Sequence, residues 1–277
     1  MNGAGGAELL YLYALVRADE AMRALEGDAP NGIGEQRVHA IAECDLAAIV
    51  GPVPAAEFEE APLNASLSNI DWLAPRAAAH QHVNALVSER TSASLPLSFG
   101  TVFRSEDSLR GLLRARATEL IERLDAVRGC SEWVVTVSRD SERAEAALAE
   151  HDPELARART ELEASSPGRR YLLERQMSEL RRRALRVADA EATREIGEAA
   201  SRTARRMYAE PLVAAAESGA QLIARSSALV DRAAESQFWD ALEDVGARWR
   251  ARGYDVERSG PWPPYRFGGT TARGVVA

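Results

Sequence analysis

Leu9 to Arg17 is an unbroken aliphatic and aromatic run, the pattern of a strand buried on both faces. Asp19 offers a cap for a short helix reaching about Leu25 and ended by Gly27, and Pro30-Asn31-Gly32 marks a turn. Val38 to Glu43 and Leu46 to Val50 read as short strands joined by a hairpin at Cys44-Asp45, a unit that Gly51-Pro52-Val53-Pro54 ends. Residues 54–68 read as a loop. A helix from Asp71 or Pro75 to Thr91 carries Ala79, Val83, Leu86 and Val87 at helical spacing. Leu95 to Phe103 returns as a strand, with Pro96 near its start. Strand, helix, strand, strand, helix, strand is the order of the split βαβ, ferredoxin-like plan.

The second half repeats that order around a longer polar region. Ser105 opens a helix with Leu109, Leu112, Leu113, Leu120, Ile121 and Leu124 on one face, acids in its first turn and Gly129 at its end. Cys130 to Ser138 is a strand. Residues 141–163 read as a helix restarted at Asp152-Pro153, and Ser165-Ser166-Pro167-Gly168 as a turn. A long helix then runs from about Arg169 toward Pro211. Its Leu173, Met177, Leu180, Ala184 and Val187 keep the 4-3-4-3 spacing of a coiled-coil seam. The pair predicts an antiparallel helical hairpin with a second arm on the order of 60 Å. The weakly apolar later half (Ala188, Ala192, Ile196, Ala199, Thr203) calls for a break or a partner helix. Gln221 to Val230 holds one or two strands. Ser236 to Arg252 is a helix with Phe238, Leu242, Val245 and Trp249 on one stripe, and Tyr254 to Ser259 is the last strand. The expected fold is α+β: two tandem ferredoxin-like (split βαβ) domains, the second with a long helical hairpin insert. Its parts are residues 1–104, a connecting helix at 105–129, and 130–267 with the insert at about 141–211. Residues 1–7 and the tail at 268–277 read as disordered or flexible.

Composition narrows the function. The length of 277 residues favours two domains, and 46% hydrophobic with 27% charged residues fits a soluble globular protein. A net charge of −8 argues against a nucleic-acid binder and against docking on anionic lipid. All 34 basic residues are arginine, so every cation is a planar bidentate donor suited to carboxylates. Cys44 and Cys130 form neither a disulfide framework nor a zinc motif. No signal peptide and no run of about 18 apolar residues is present, so the cytoplasm is the expected compartment.

Candidate chemistry concentrates near the C-terminus, in Gly260-Pro261-Trp262-Pro263-Pro264-Tyr265-Arg266-Phe267. Its prolines force an extended or turn-like path and leave the rings little freedom. Trp262, Pro263, Pro264, Tyr265 and Phe267 therefore read as a cap closing a core edge, or as an anchor for a partner protein. His80 and His82, two apart on a helix, point away from each other, so no metal is expected and His80 reads as a structural hydrogen-bonding residue. Phe99-Gly100-Thr101 has too few glycines for a phosphate cradle, so Gly100 marks a bulge or a close backbone approach. The nucleophile elbow of hydrolases and the lysine-bearing P-loop are both absent. Glu57-Phe58-Glu59-Glu60 reads as a solvated face. Arg181-Arg182-Arg183 and Arg205-Arg206 read as helix-surface charge, with an acidic partner as the alternative. No cofactor, no catalytic residue and no enzyme activity is expected.

The stretch from Gly260 to Phe267 resembles the C-terminal signature of the gas vesicle protein F/L family (GvpL/GvpF). Tyr11 to Val16, Leu95 to Phe103, Gly129 to Val137 and Gly168 to Leu172 resemble it too, in the same order. The resemblance implies an accessory or minor structural protein of gas vesicle assembly. Its implied partners are the small hydrophobic wall protein and other accessory proteins, and it places a histidine at His80, before the Leu95–Phe103 strand. Ser98 stands where the family commonly has arginine, and Gln81 where an acid often follows the histidine. The alternative is a tandem ferredoxin-like ligand-binding regulatory module. RNA binding on an exposed sheet is disfavoured by the net acidity. On this reading Trp262→Ala weakens stability or assembly more than any single change in the arginine runs, as thermal unfolding and assembly assays measure.

Overall fold

In the computed structural model, which describes residues 7–27, 30–212 and 220–269, the first sheet forms around β1 (Glu8–Arg17). After β1 a short 3-10 turn (Ala18–Glu20) leads into α1 (Ala21–Ala24), and Asp19 lies inside that turn and does not cap it. β2 (His39–Glu43) and β3 (Leu46–Pro54) form the expected hairpin, and β3 pairs with β1 from Arg17↔Leu46 to Glu8↔Pro54. β3 thus runs on through the Gly51–Pro54 stretch that was expected to end it. Beyond Val50 it has lost β2, so Pro52 needs no donor on that side.

Residues 54–68 are not a loop. They form α2 (Ala55–Phe58) and α3 (Glu60–Ser66), which bury Ala55, Phe58 and Leu63. α4 (Ile70–Arg90) begins before both expected starts, with Asp71 in its first turn and not at its cap, and Pro75 inside it. Its cap is Asn69, whose side chain accepts from the Asp71 and Trp72 N–H groups. The Leu95–Phe103 strand is split into β4 (Leu95–Pro96) and β5 (Val102–Phe103), both antiparallel to β1 on the edge opposite β3. Leu97 donates to Tyr13 O and Thr101 O accepts from Leu12, while Ser98, Phe99 and Gly100 loop out between them. The helix after Ser105 is also split, at Arg116, into α5 (Glu106–Ala115) and α6 (Ala117–Val127). The resulting sheet has the order β2-β3-β1-β4 and is antiparallel throughout.

The second sheet begins with β6 (Cys130–Asp140). α7 (Ser141–His151) and α8 (Pro153–Glu163) follow, and Asp152 caps α8 by accepting from the Glu154 and Leu155 N–H groups. α9 (Pro167–Ser201) starts with its proline at a first-turn position, so residues 167 and 168 belong to the helix and not to the expected turn. Its 35 residues span about 52 Å. The alanine-rich half finds its partner helix in α10 (Glu235–Arg250): Ala188, Ala192, Ile196 and Ala199 share a core with Phe238, Leu242, Val245 and Trp249. α9 stops at Ser201, short of Pro211, because Arg206–Ala209 forms β7, antiparallel to β8 (Ala220–Asp231). β9 (Tyr254–Trp262) closes the order β7-β8-β6-β9. α11 (Tyr265–Gly268) ends the described chain.

The chain packs as two units, Met1–Glu132 with Pro261–Ala277, and Trp133–Gly260. This differs from the expected division in two places. α5 and α6 belong to the first unit, where Leu109, Leu113, Leu120, Leu124 and Val127 are buried. The segment after Gly260 returns to that same unit. Ala7, whose carbonyl accepts from Ala55, and Gly268 and Gly269, which are hydrogen-bonded to Pro264, are ordered parts of the fold. The remaining stretches expected to be disordered, 1–6 and 270–277, lie outside the described residues. Together the units make a mixed α/β fold on antiparallel sheets.

Gly253 joins α10 to β9 at φ +83°, and a Cβ there would lie 2.5 Å from the Ala144 backbone nitrogen. Gly253→Ala is expected to destabilise the second unit by about 3 kcal/mol, since neither the left-handed backbone nor the neighbouring backbone can give way. Urea unfolding followed by tryptophan fluorescence measures it.

Candidate functional site

The resembling stretches from β1, the 97–101 loop and the C-terminal segment meet His80 of α4 in the first unit. β1 is buried on both faces, so its tyrosine hydroxyls must be satisfied inside the protein. Tyr13 accepts the Ile33 N–H at 2.8 Å. Tyr11 accepts the Gly100 N–H at 3.0 Å and lies 2.9 Å from His80 Nδ1. The Asn84 amide nitrogen, one turn along α4, lies 3.1 Å from His80 Nε2 and donates to the His80 carbonyl at 3.1 Å. Tyr265 donates to Gln81 Oε1 at 3.0 Å. Gln81 is thus a neutral acceptor for the C-terminal tyrosine.

Rings close the cluster. Phe99 lies edge-on to Tyr11, His80 and Trp72, at centroid distances of 6.0, 5.7 and 6.4 Å. Phe58 meets Tyr11 edge-on at 5.6 Å. Arg76 sits 4.5 Å over the Trp72 ring and pairs with Glu57 at 2.6 Å; Glu57 also accepts the Trp72 indole N–H. The Glu57 stretch is therefore partly a structural clamp and not simply a solvated face. Gly100 has φ +85°, and a Cβ on it would meet Leu63 at 2.8 Å, so the close approach expected there is present.

The C-terminal segment is held by its later residues. Pro263 and Pro264 are buried. The Arg266 N–H donates to Glu132 at 2.7 Å, and Arg123 donates to the Gly268 carbonyl at 2.9 Å and also to that of Gly269. Gly268 lies against Leu95 and Val127. Trp262 keeps 38% of its surface exposed, while Tyr265 and Phe267 are half-buried. His80, Phe99, Gly100 and Tyr265 thus come together, and Trp262 faces solvent. Tyr11, Asn84, Arg123 and Glu132 were not singled out from the sequence. Tyr11 and Glu132 lie in resembling stretches and Asn84 lies one helical turn past His80, whereas nothing marks Arg123.

His80 is 5% exposed and His82 is exposed, so the two do not share a ligand. Among the described residues no group of three or more His, Cys, Asp or Glu gathers as a metal site, and no helix is long and apolar enough to cross a membrane. Burial lowers the His80 pKa to about 4, against a smaller opposing effect of the Leu97 backbone. Burial likewise pushes Tyr265 and Tyr11 upward. The cluster is therefore a neutral hydrogen-bonded hub at ordinary pH.

A histidine with a depressed folded pKa binds its proton more tightly in the unfolded chain. Its contribution is fully present above about pH 6.5 and is lost as pH falls toward about 4. From pH 7 to pH 5 this amounts to about 2 kcal/mol. The His80→Gln variant is expected to lack that part of the acid destabilisation, as urea midpoints at the two pH values measure.

The family model described as gas vesicle synthesis protein GvpL/GvpF matches residues 9–268. Gas vesicle protein L of a Streptomyces species is 34% identical over 96% of this chain and 95% of its own. Gas vesicle protein L2 of Halobacterium salinarum is 28% identical over 93% and 90%. The crystal structure of gas vesicle protein GvpF from Anabaena has the same fold, with a TM-score of 0.69 at 15% identity over 95% of this chain and 99% of that one. A match over nearly the whole chain, containing the hub and the C-terminal segment alike, means that this protein belongs to the GvpL/GvpF family of gas vesicle proteins and is involved in gas vesicle formation.

Proposed function

We propose that the protein is a non-catalytic accessory or minor structural component of gas vesicle assembly, acting in the cytoplasm and at the vesicle. It works by contacts with the small hydrophobic wall protein and with other accessory proteins. The observation that carries this reading is the exposed Trp262. The prolines after it are buried and Tyr265 is tied to Gln81, so the indole is presented on a rigid support and little freedom is lost when a partner covers it. An apolar wall subunit needs such cover before incorporation, because exposed apolar surface aggregates.

We also read each unit as a ferredoxin-like domain. The orders β2-β3-β1-β4 and β7-β8-β6-β9 place corresponding strands alike, and α7 to α9 stand as an insert in the first crossover of the second unit. In this reading the sheets are scaffolds, and the Pro-Trp segment is the presented surface.

Co-expression with the wall protein followed by pull-down at low and high salt tests the proposal. Capture is expected to persist at high salt and to fall about tenfold in Trp262→Ala, with thermal stability nearly unchanged. Capture that disappears with salt, or that ignores Trp262, would sink this role for the segment.

A further inference from the structure

The seam on α9 is only partly used by the chain. Leu173 and Met177 are buried, and further along Leu185, Ala188 and Ala192 are buried. Beside them the 4-3 steps of Leu180, Ala184 and Val187 face an open groove of about 410 Å³. Leu148 and Leu155 form its other wall, and Trp249 and Tyr254 line its floor. Val187, expected from its spacing to be buried, is 52% exposed. A coiled-coil seam that runs into an open groove has the geometry that receives another helix.

The charge around it is opposite in sign to that of the whole chain. Residues 169–186 hold seven arginines against two glutamates, a net of +5 within a chain of −8. Arg183 is on the rim of the groove and, among the described residues, makes no ion pair or hydrogen bond through its side chain. Arg252, also on the rim, lies 5.0 Å over the Trp249 ring and has no carboxylate partner among the described residues. Of the carboxylates beside the groove, Asp152 is occupied in capping α8, which leaves Glu154 and Glu191. The unmatched guanidiniums on and beside the rim favour carboxylates on whatever lies above them.

We propose that this groove is a docking site for an amphipathic, acid-bearing helix of a partner protein. Leucine-sized side chains at helical spacing enter between Leu180, Val187 and Leu155, and the partner's carboxylates meet Arg183 and Arg252. The apolar walls and the acidity of the whole chain disfavour a nucleic acid. This site lies in the second unit and goes beyond the role proposed for Trp262, so it stands or falls separately from wall-protein capture.

The test uses the full-length protein and a fluorescently labelled synthetic helix with leucines at i, i+3, i+4 and i+7 and glutamates elsewhere, followed by anisotropy. Saturable binding is expected, weakened about tenfold or more by Val187→Glu and, separately, by Arg183→Glu. Both positions are exposed, and thermal unfolding confirms that each variant folds. A leucine/lysine helix with the same apolar face is expected to bind at least tenfold more weakly. The proposal is overturned by absence of binding, by equal binding to both variants, or by a preference for the lysine helix. Self-association of the protein that Val187→Glu abolishes would also overturn it, since the occupant would then be a second copy.

Discussion

The Tyr11 hydroxyl is the point on which the first unit turns. β1 has strands on both edges and side chains buried on both faces, so a phenol placed there has no water to bond. Leaving it unpaired would cost about 1–3 kcal/mol. The fold satisfies it with the Gly100 N–H and the His80 ring, and those two partners belong to segments that pack on β1 from different directions. A requirement of one strand thereby positions the 97–101 loop and the rotation of α4. The same rotation brings Gln81 to the Tyr265 hydroxyl, so the docking of the C-terminal segment depends on a bond made near the N-terminus.

A buried polar group has the corresponding role in the second unit. Arg139 of β6 pairs with Asp189 of α9 at 2.5 Å and donates to Gln221 of β8, while Tyr254 of β9 donates to the other oxygen of Asp189 at 2.8 Å. Such a pair adds little net stability because both ions are desolvated, but it penalises every arrangement that leaves one of them alone. Asp189 adjoins Ala188 on α9. Fixing its direction fixes which alanines face α10, and also which earlier residues of the helix face away. The open Leu180–Val187 seam is then a consequence of a rotation set elsewhere.

Strands and amphipathic helices were legible because their periodicity is a direct imprint of burial. Leu9 to Arg17 and the Phe238–Trp249 stripe needed nothing else. What could not be read depends on register and return. The break between Pro96 and Val102 appears only when the strand is laid against β1, where more residues are present than partners. Arg206–Ala209 is too short and polar to stand out until β8 pairs with it. The stretch from Ala55 to Ser66, which shows no clear periodicity, still folds as helix turns, because Phe58 and Leu63 find burial there. The candidate site followed the same rule: His80 and Gly100 were recognisable as structural, whereas Arg123, an ordinary helix arginine in the sequence, acquires its role only because the last segment comes back to it.

That return also shows how one proline-rich stretch can close a core and, in the proposed reading, still present an anchor. In an extended segment neighbouring side chains point to opposite sides. Once Pro263 and Pro264 are buried and the chain turns into α11, the Trp262 side chain before them still keeps 38% of its surface exposed. The residues that stabilise the segment are then different from the residue it presents. In the proposed reading a substitution at Tyr265 acts on folding and one at Trp262 on association, although both sit in a single motif whose sequence alone does not separate them.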